Sequence, residues 1–419
     1  MIGKTLRAGG ALLLLLWLPG CAVQQWHSTG IGRYLERHSL DEALTELDAH
    51  PPERRDRAMY LLNRGMLQHL RGDYAASNRD LEAAKAVLER VQALSLSEGL
   101  TASTINDTLG DYAGTPSERV LLHLMMALNY LALHDLDGAR VEALQADLRM
   151  RELPEAGAQL ASARFIAGLV FELNGEWSDA LIGYRKAAQR LAEQHQPVPQ
   201  PLQRRLLNAT RRLGLEDEYQ QYLTRFGAQA EPPPGSGELL VLYLNGKVPS
   251  LQQRMISVFV PSLNHAVTIA QLYYPPRRVP APGARLPIGP HAVPLERLED
   301  LDRLARNALD AGQARRTALT LARVTAKHAL VKNTRQKDPL LGMLADLAAI
   351  LTEAADTRSW NLLPASIQIG SVSLAPGHYA LPVDAAAKVA PEPLQVNIRA
   401  GTTQLLIGNS YRIAAHAAP

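Results

Sequence analysis

Three stretches of this chain can be laid over one another, and that self-similarity restricts the fold more than any other feature. Gly65-Met-Leu-Gln-His-Leu-Arg-Gly72-Asp73-Tyr74 leads into Ser77, Leu81 and Ala84. Ala127-Leu-Asn-Tyr130-Leu-Ala-Leu-His-Asp135-Leu136 leads into Ala139, Ala143 and Ala146. Gly168-Leu-Val-Phe171-Glu-Leu-Asn-Gly175-Glu-Trp177 leads into Ala180, Tyr184 and Ala187. Each copy has a small residue where two helices would cross, an acidic or glycine-containing turn, and a large apolar residue just past it. Mostly small residues follow on the return helix. The pattern predicts stacked antiparallel helix pairs, because one such pair cannot bury its apolar face alone.

The pattern resembles the tetratricopeptide repeat, whose period is about 34 residues. In the second copy Ala127 replaces the first glycine and His134 takes the turn-glycine position. Leu40-Asp-Glu-Ala43 looks like a half-repeat at the front, and residues 201–227 look like closing helices. The longer interval between the first two copies implies an insertion around Ser95–Pro116, rich in Ser, Thr, Gly and Asp. A long loop on a rigid array is either functional or simply mobile. In repeats of this type the first helix of each pair lines a concave groove. By register that groove holds Met59, Leu62, Met66 and His69; Leu121, Leu124, Leu128 and Leu131; and Phe165, Leu169 and Glu172. So apolar a surface either binds a partner or is covered by the rest of the chain.

Glu231-Pro-Pro-Pro-Gly-Ser-Gly237 has the composition of a linker. Beyond it the period changes from helix to strand: Glu238–Gly246, Ile256–Val260 and His265–Ala270 alternate or run apolar, with Asn245-Gly246 as a turn. Tyr273 to Pro294 reads as extended chain, and residues 295–356 return to helical spacing, broken near Asn333–Pro339. From Ile367 the chain is again β, with segments Ile367–Leu374, Tyr379–Val383, Leu394–Ile398 and Gln404–Ile407. The expected fold is mainly α. A tetratricopeptide-like array spans 31–228, a linker 229–237, and an α+β domain 238–419, whose β-rich ends meet in space.

At the start, Lys4 and Arg7 precede the apolar run Ala11–Leu18. That run is too short for a spanning helix, which needs about 20 apolar residues, and fits a secretory signal. Leu18-Pro19-Gly20-Cys21 resembles the lipobox of bacterial lipoproteins. The resemblance implies a signal peptide over 1–20, cleavage before Cys21, acylation of its thiol, and a lipidated tether over 21–30. Ala22 follows where inner-membrane retention would favour Asp, so an outer-membrane anchor facing the periplasm is expected. Cys21 is the only cysteine in 419 residues, which excludes an intrachain disulfide. Removing 1–20 takes away Lys4 and Arg7 and lowers the formal charge from +3 to +1, leaving no electrostatic case for nucleic acid. With 47% hydrophobic and 20% charged residues the chain can bury real cores.

Two further stretches carry a wider resemblance. Ser117-Glu-Arg-Val-Leu-Leu-His123 runs into Ala127-Leu-Asn-Tyr130 and Ala139-Arg-Val-Glu142-Ala. Ala354-Ala-Asp356-Thr-Arg358-Ser-Trp360-Asn-Leu-Leu-Pro364 precedes a strand. With the lipobox they resemble a family of uncharacterised proteobacterial outer-membrane lipoproteins that carry tetratricopeptide-like helices. The resemblance implies an envelope location. Members tend to be encoded near lipoproteins similar to activators of penicillin-binding proteins and to curli-secretion lipoproteins.

Chemistry is harder to find. The sequence has no His-x-x-x-His zinc spacing, no Gly-x-Ser-x-Gly elbow and no phosphate loop. Lipidation of Cys21 would remove the one thiol nucleophile. Glu299, Asp300 and Asp302 are expected on a solvated helical face beside arginines. No enzyme activity, cofactor or metal is expected. The best remaining cluster is Asp356, Arg358 and Trp360 at a helix-to-strand junction. Arg358 could fork onto an anion with Trp360 as a stacking face. Alternatively, and in preference, Asp356 and Arg358 tie the junction while Trp360 fills the core. The leading expectation is a membrane-anchored scaffold for envelope proteins, supporting cell-wall synthesis or envelope assembly. The alternatives are glycan or peptide binding or processing by the C-terminal domain, and an accessory role in an outer-membrane secretion or surface-structure system.

Overall fold

The repeats fold as antiparallel helix pairs. In a computed structural model, the chain is described over residues 28–37, 39–97, 110–153, 156–261, 265–276, 284–288, 291–337, 355–381, 394–412 and 416–417. The lipobox and Cys21 lie outside these residues. α1 (Ser28–Glu36) pairs with α2 (Leu40–Ala49), α3 (Arg57–Arg71) with α4 (Tyr74–Ser97), and α5 (Pro116–Ala132) with α6 (Leu136–Glu152). α7 (Ala161–Leu173) pairs with α8 (Trp177–Glu193), and α9 (Gln200–Arg212) with α10 (Glu216–Phe226). The front half-repeat is thus a complete pair, because the short α1 supplies its first helix. No helix among the described residues is long and apolar enough to cross a membrane.

The crossing positions explain the small residues. A Cβ on Gly168 would press on the Tyr184 ring and come within 2.9 Å of the Ala180 carbonyl, so α7 and α8 approach this closely only with glycine there. The turns follow the same logic. Gly72 and Gly175 have φ of 90° and 78°, and His134 holds the equivalent position of the second copy at φ 58°. A left-handed conformation costs a non-glycine residue about 1 kcal/mol or more. Surrounding helix contacts therefore outweigh local strain at His134.

Beyond Gly237 the chain becomes a sheet domain. β1 (Gly237–Asn245) lies centrally in a four-stranded sheet ordered β10 (Thr403–Asn409), β1, β7 (Ser366–Leu374), β6 (Glu296–Asp300). β1 runs parallel to β10 and antiparallel to β7, so the early and late β segments do meet. The apolar run of β1 is divided by the pleat. Leu240, Leu242 and Leu244 join the array's core, whereas Leu239, Val241 and Tyr243 join a second core. That second core is closed by β4 (Ala284–Ile288), β5 (His291–Pro294), β8 (Gly377–Leu381) and β9 (Leu394–Ile398). The molecule is thus layered, with helical array, sheet, then hairpins.

β2 (Gln252–Val260) and β3 (His265–Tyr273) form a separate hairpin packed against α11 (Leu301–Lys337). Three expectations are corrected here. The stretch before Pro294 contains the β4–β5 hairpin as well as extended chain. Residues 296–300 form a strand rather than the start of a helix. α11 continues through Asn333 to Lys337, while Pro339 lies outside the described residues. The insertion lies partly outside them too, but Tyr112 within it is buried, its N–H donating to the Arg55 carbonyl at 2.8 Å.

Candidate functional site

The residues assigned to a concave groove do not form an open surface. Met59, Leu62, Met66 and His69 are at most 1% exposed, and Leu121, Leu124, Leu128, Leu131, Phe165 and Leu169 are also buried. All but His69 share one continuous apolar core with Leu240, Leu242, Leu244, Ile367 and Ile369 of the sheet. The C-terminal sheet therefore fills the groove, which corrects the partner-binding reading of these residues. Glu172 is part of the seam: its carboxylate accepts from Tyr184 Oη at 2.5 Å and lies 3.5 Å from the buried Arg205 guanidinium. Arg205 in turn reaches Glu238 of β1 at 3.0 Å. Burial works against the Arg205 charge, but Glu238 and Glu172 outweigh it and hold the group above its ordinary value.

Asp356, Arg358 and Trp360 do come together, as a tie between the two halves of the chain. Arg358 Nη2 lies 2.7 Å from Asp356, and its Nη1 donates to Asp56 at 3.1 Å and to the Gly110 carbonyl at 3.0 Å. Its guanidinium also lies 5.7 Å over the Tyr112 ring. With so many acceptors engaged, the Arg358 fork is committed to the protein itself. Trp360 is 1% exposed and its backbone N–H donates to Glu118 Oε1 at 2.6 Å. Sequence reasoning missed Glu118 as a site residue, although Thr115-Pro-Ser-Glu118 is a legible capping box for α5. Its Oε2 also accepts from Tyr112 Oη at 2.5 Å and from the Thr115 N–H at 2.7 Å. Burial, then the Glu118 charge, raises the Tyr112 hydroxyl well above its usual range.

Glu299, Asp300 and Asp302 were expected on a solvated face and instead are buried, at 2, 4 and 5% exposure. The reason is the strand at 296–300, which points Glu299 into the array. There it accepts from Ser162 N–H at 3.1 Å, and burial raises it above the ordinary carboxylate range. Asp300 caps α11 by accepting from Arg303 N–H, and Asp302 pairs with Arg306 at 2.8 Å.

Between the array, the β2–β3 hairpin, α11 and the 355–363 segment lies a cavity of about 1170 Å³. Asp356, Arg358 and Trp360 contribute to its wall, as do Glu118, Glu299 and Asp300. Trp360 Nε1 is buried without a hydrogen-bond partner among the described residues. Among the described residues no group of three His, Cys, Asp or Glu side chains could hold a metal ion.

No family model matches the chain, and no curated protein gives a match. Solved structures give distant likenesses. The apo form of RapI is 10% identical, with a TM-score of 0.37 over 46% of this chain and 50% of RapI. MamA from Desulfovibrio magneticus RS-1 is 15% identical, with a TM-score of 0.33 over 47% of this chain and 88% of that one. Aspartyl phosphate phosphatase F from Bacillus subtilis is 13% identical, with a TM-score of 0.32 over 46% of this chain and 47% of that one. The aligned part of this chain thus spans about half the length of RapI, and each likeness is confined to about half of this chain.

Proposed function

We propose that this protein is a lipid-anchored envelope lipoprotein whose helical array is an interaction scaffold, and that a partner protein docks on its outer face. The observation that carries this reading is an apolar stripe on α6. Val141, Leu144 and Leu148, 55, 43 and 42% exposed, stand at i, i+3 and i+7 and so share one face. Isolated exposed apolar residues are ordinary, but a contiguous patch marks a surface that a partner covers. With the concave groove filled, the outer face is where the array can still offer such a surface. Anchoring rests on the lipobox residues 18–21, and the outer membrane on Ala22. A role in cell-wall synthesis or envelope assembly rests on the family resemblance.

A photo-crosslinking residue at Leu144, with a control at Glu216, tests the docking face in native envelopes. One stoichiometric partner is expected at Leu144 alone, and it should be lost in V141E/L144E/L148E. Lipidated protein that captures nothing at Leu144 would overturn the docking reading. Cys21→Ser should abolish fatty-acid incorporation and release the protein from the membrane fraction, and continued labelling would exclude the anchor. Unchanged peptidoglycan composition in a deletion strain would remove the cell-wall version. A second reading, ligand binding in the C-terminal part, is favoured by the cavity.

A further inference from the structure

One wall of the 1170 Å³ cavity carries arginines that no carboxylate among the described residues pairs with. α11 contributes Arg303, Arg315, Arg316 and Arg323 to that wall. Among the described residues none of the four has a carboxylate within ion-pair distance of 4.0 Å. The cavity's own acids are engaged elsewhere. Glu118 is held by Trp360 and Tyr112, Glu299 by Ser162, Asp300 by Arg297, Asp356 by Arg358, and Glu193 by Arg190. Arg316 and Arg323 are seven residues apart and share a helix face. Each has a buried Nε with no acceptor among the described residues.

Two details suggest a built site rather than a solvated helix. Gly312 has no side chain where a Cβ would collide with the Arg316 guanidinium, so this glycine makes room for the arginine to fold back along α11. The Arg316 group then donates to the Leu309 carbonyl, and Arg323 reaches Thr320 Oγ at 3.5 Å. Burial also pulls Arg316 below its ordinary value, with Tyr274 and Asp310 opposing only in part. The wall also has an apolar part, to which Leu121, Leu272, Leu304 and Trp360 contribute. The volume exceeds what an inorganic anion needs and matches a ligand pocket, which typically runs to about 1,000 Å³.

We infer that this cavity binds an amphiphile with one anionic head, carboxylate or phosphate, held by Arg316 and Arg323, its apolar body lying against Leu121, Leu272 and Leu304. The guanidinium fork suits either head, since each offers a pair of oxygens for bidentate hydrogen bonds. The site is separate from the outer-face docking surface, so either can fail without the other.

The test uses the full chain in nonionic detergent with a diazirine-bearing C16 carboxylate as probe, and peptide mapping of the adducts. Labelling is expected on α11 and on the peptide containing Trp360. It should fall at least about tenfold in R316Q/R323Q, and G312A, which displaces the Arg316 group, should weaken it without touching either arginine. An unchanged circular-dichroism melt separates loss of binding from loss of fold. Excess lysophosphatidic acid or unlabelled palmitate should compete, and whichever competes better identifies the head. Labelling spread over the surface, labelling indifferent to R316Q/R323Q in a folded variant, or equal labelling by the uncharged C16 alcohol probe would overturn the proposal. Full competition by inorganic phosphate alone would also overturn it, because the apolar body would then be dispensable.

Discussion

Burial beside a neutral partner keeps His69 uncharged. Its ring is 1% exposed, and Nδ1 donates to Asn129 Oδ1 at 2.6 Å, the carboxamide oxygen fixing the tautomer. The Asn129 amide donates to Ser77 and Asn78, each at 2.8 Å, and Ser77 Oγ closes the network on the Gly65 carbonyl at 2.7 Å. The first two repeats are thus joined by polar groups inside an apolar core, where each lost partner leaves a costly orphan. Burial pushes His69 down to about 4; the Asn129 bond opposes this and the Arg412 charge adds to it. An unfolded histidine takes up a proton near pH 6.5. Between pH 6.5 and 4 the unfolded state therefore binds more protons, and stability rises with pH across that window. Acidification from pH 7 to 4 should cost up to about 3 kcal/mol from this group. His69→Gln keeps a donor for Asn129 and should flatten the slope. Urea midpoints at stepped pH measure it, and an unaltered slope would sink the assignment.

At the scale of elements, the array is clamped to the sheet by charge as well as by leucines. Arg205 on α9, 3% exposed, lies between Glu172 of α7 and Glu238 of β1, and Thr403 of β10 donates to Glu238 at 3.1 Å. Removing the guanidinium leaves two partly buried carboxylates facing each other. R205M is therefore expected to cost about 3 kcal/mol, and Glu238→Gln in the same chain to return part of it. A double-mutant cycle that is additive within error would show that the contact contributes nothing. Most elements were legible because a period survives in their sequence: Gly65, Ala127 and Gly168 mark helix crossings, and the β1 run marks a strand buried on both faces. β6 was not legible. Leu295, Leu298, Leu301 and Leu304 recur every three residues as in a helix, yet pairing with β7 draws residues 296–300 into the sheet. Tertiary contacts override local pattern there. The candidate site was legible only in part. Asp356, Arg358 and Trp360 stood out together, but Asp56 is 302 residues from Arg358 and Glu118 is 242 from Trp360, beyond the reach of any local pattern. The cavity arginines looked like an ordinary solvated helix, because only the packing of the β2–β3 hairpin and the array around α11 makes them a wall.

For the molecule as a whole, the shared core decides how it unfolds. A repeat array usually behaves as a one-dimensional stack in which each unit contacts only its neighbours. Here one apolar cluster runs from Ile31 and Leu35 through Leu128 and Phe165 to Leu242, Trp360 and Ile369. The Pro-rich linker between α10 and β1 is exposed, so the backbone can be cut there without disturbing either side. Cleavage at Pro232–Gly235 should therefore leave two fragments that stay together through gel filtration. Their unfolding by circular dichroism should coincide with that by tryptophan fluorescence, to which Trp360 in the seam contributes. The array expressed without residues 238–419 would expose Leu124, Leu128, Phe165 and Leu169 to water. It should melt at a lower temperature and associate at micromolar concentration. A soluble, monomeric array with an unchanged melting temperature would mean that the sheet merely lies against the groove; loss of solubility would mean that the sheet completes the fold, and that this chain has converted a partner-binding surface into its own core.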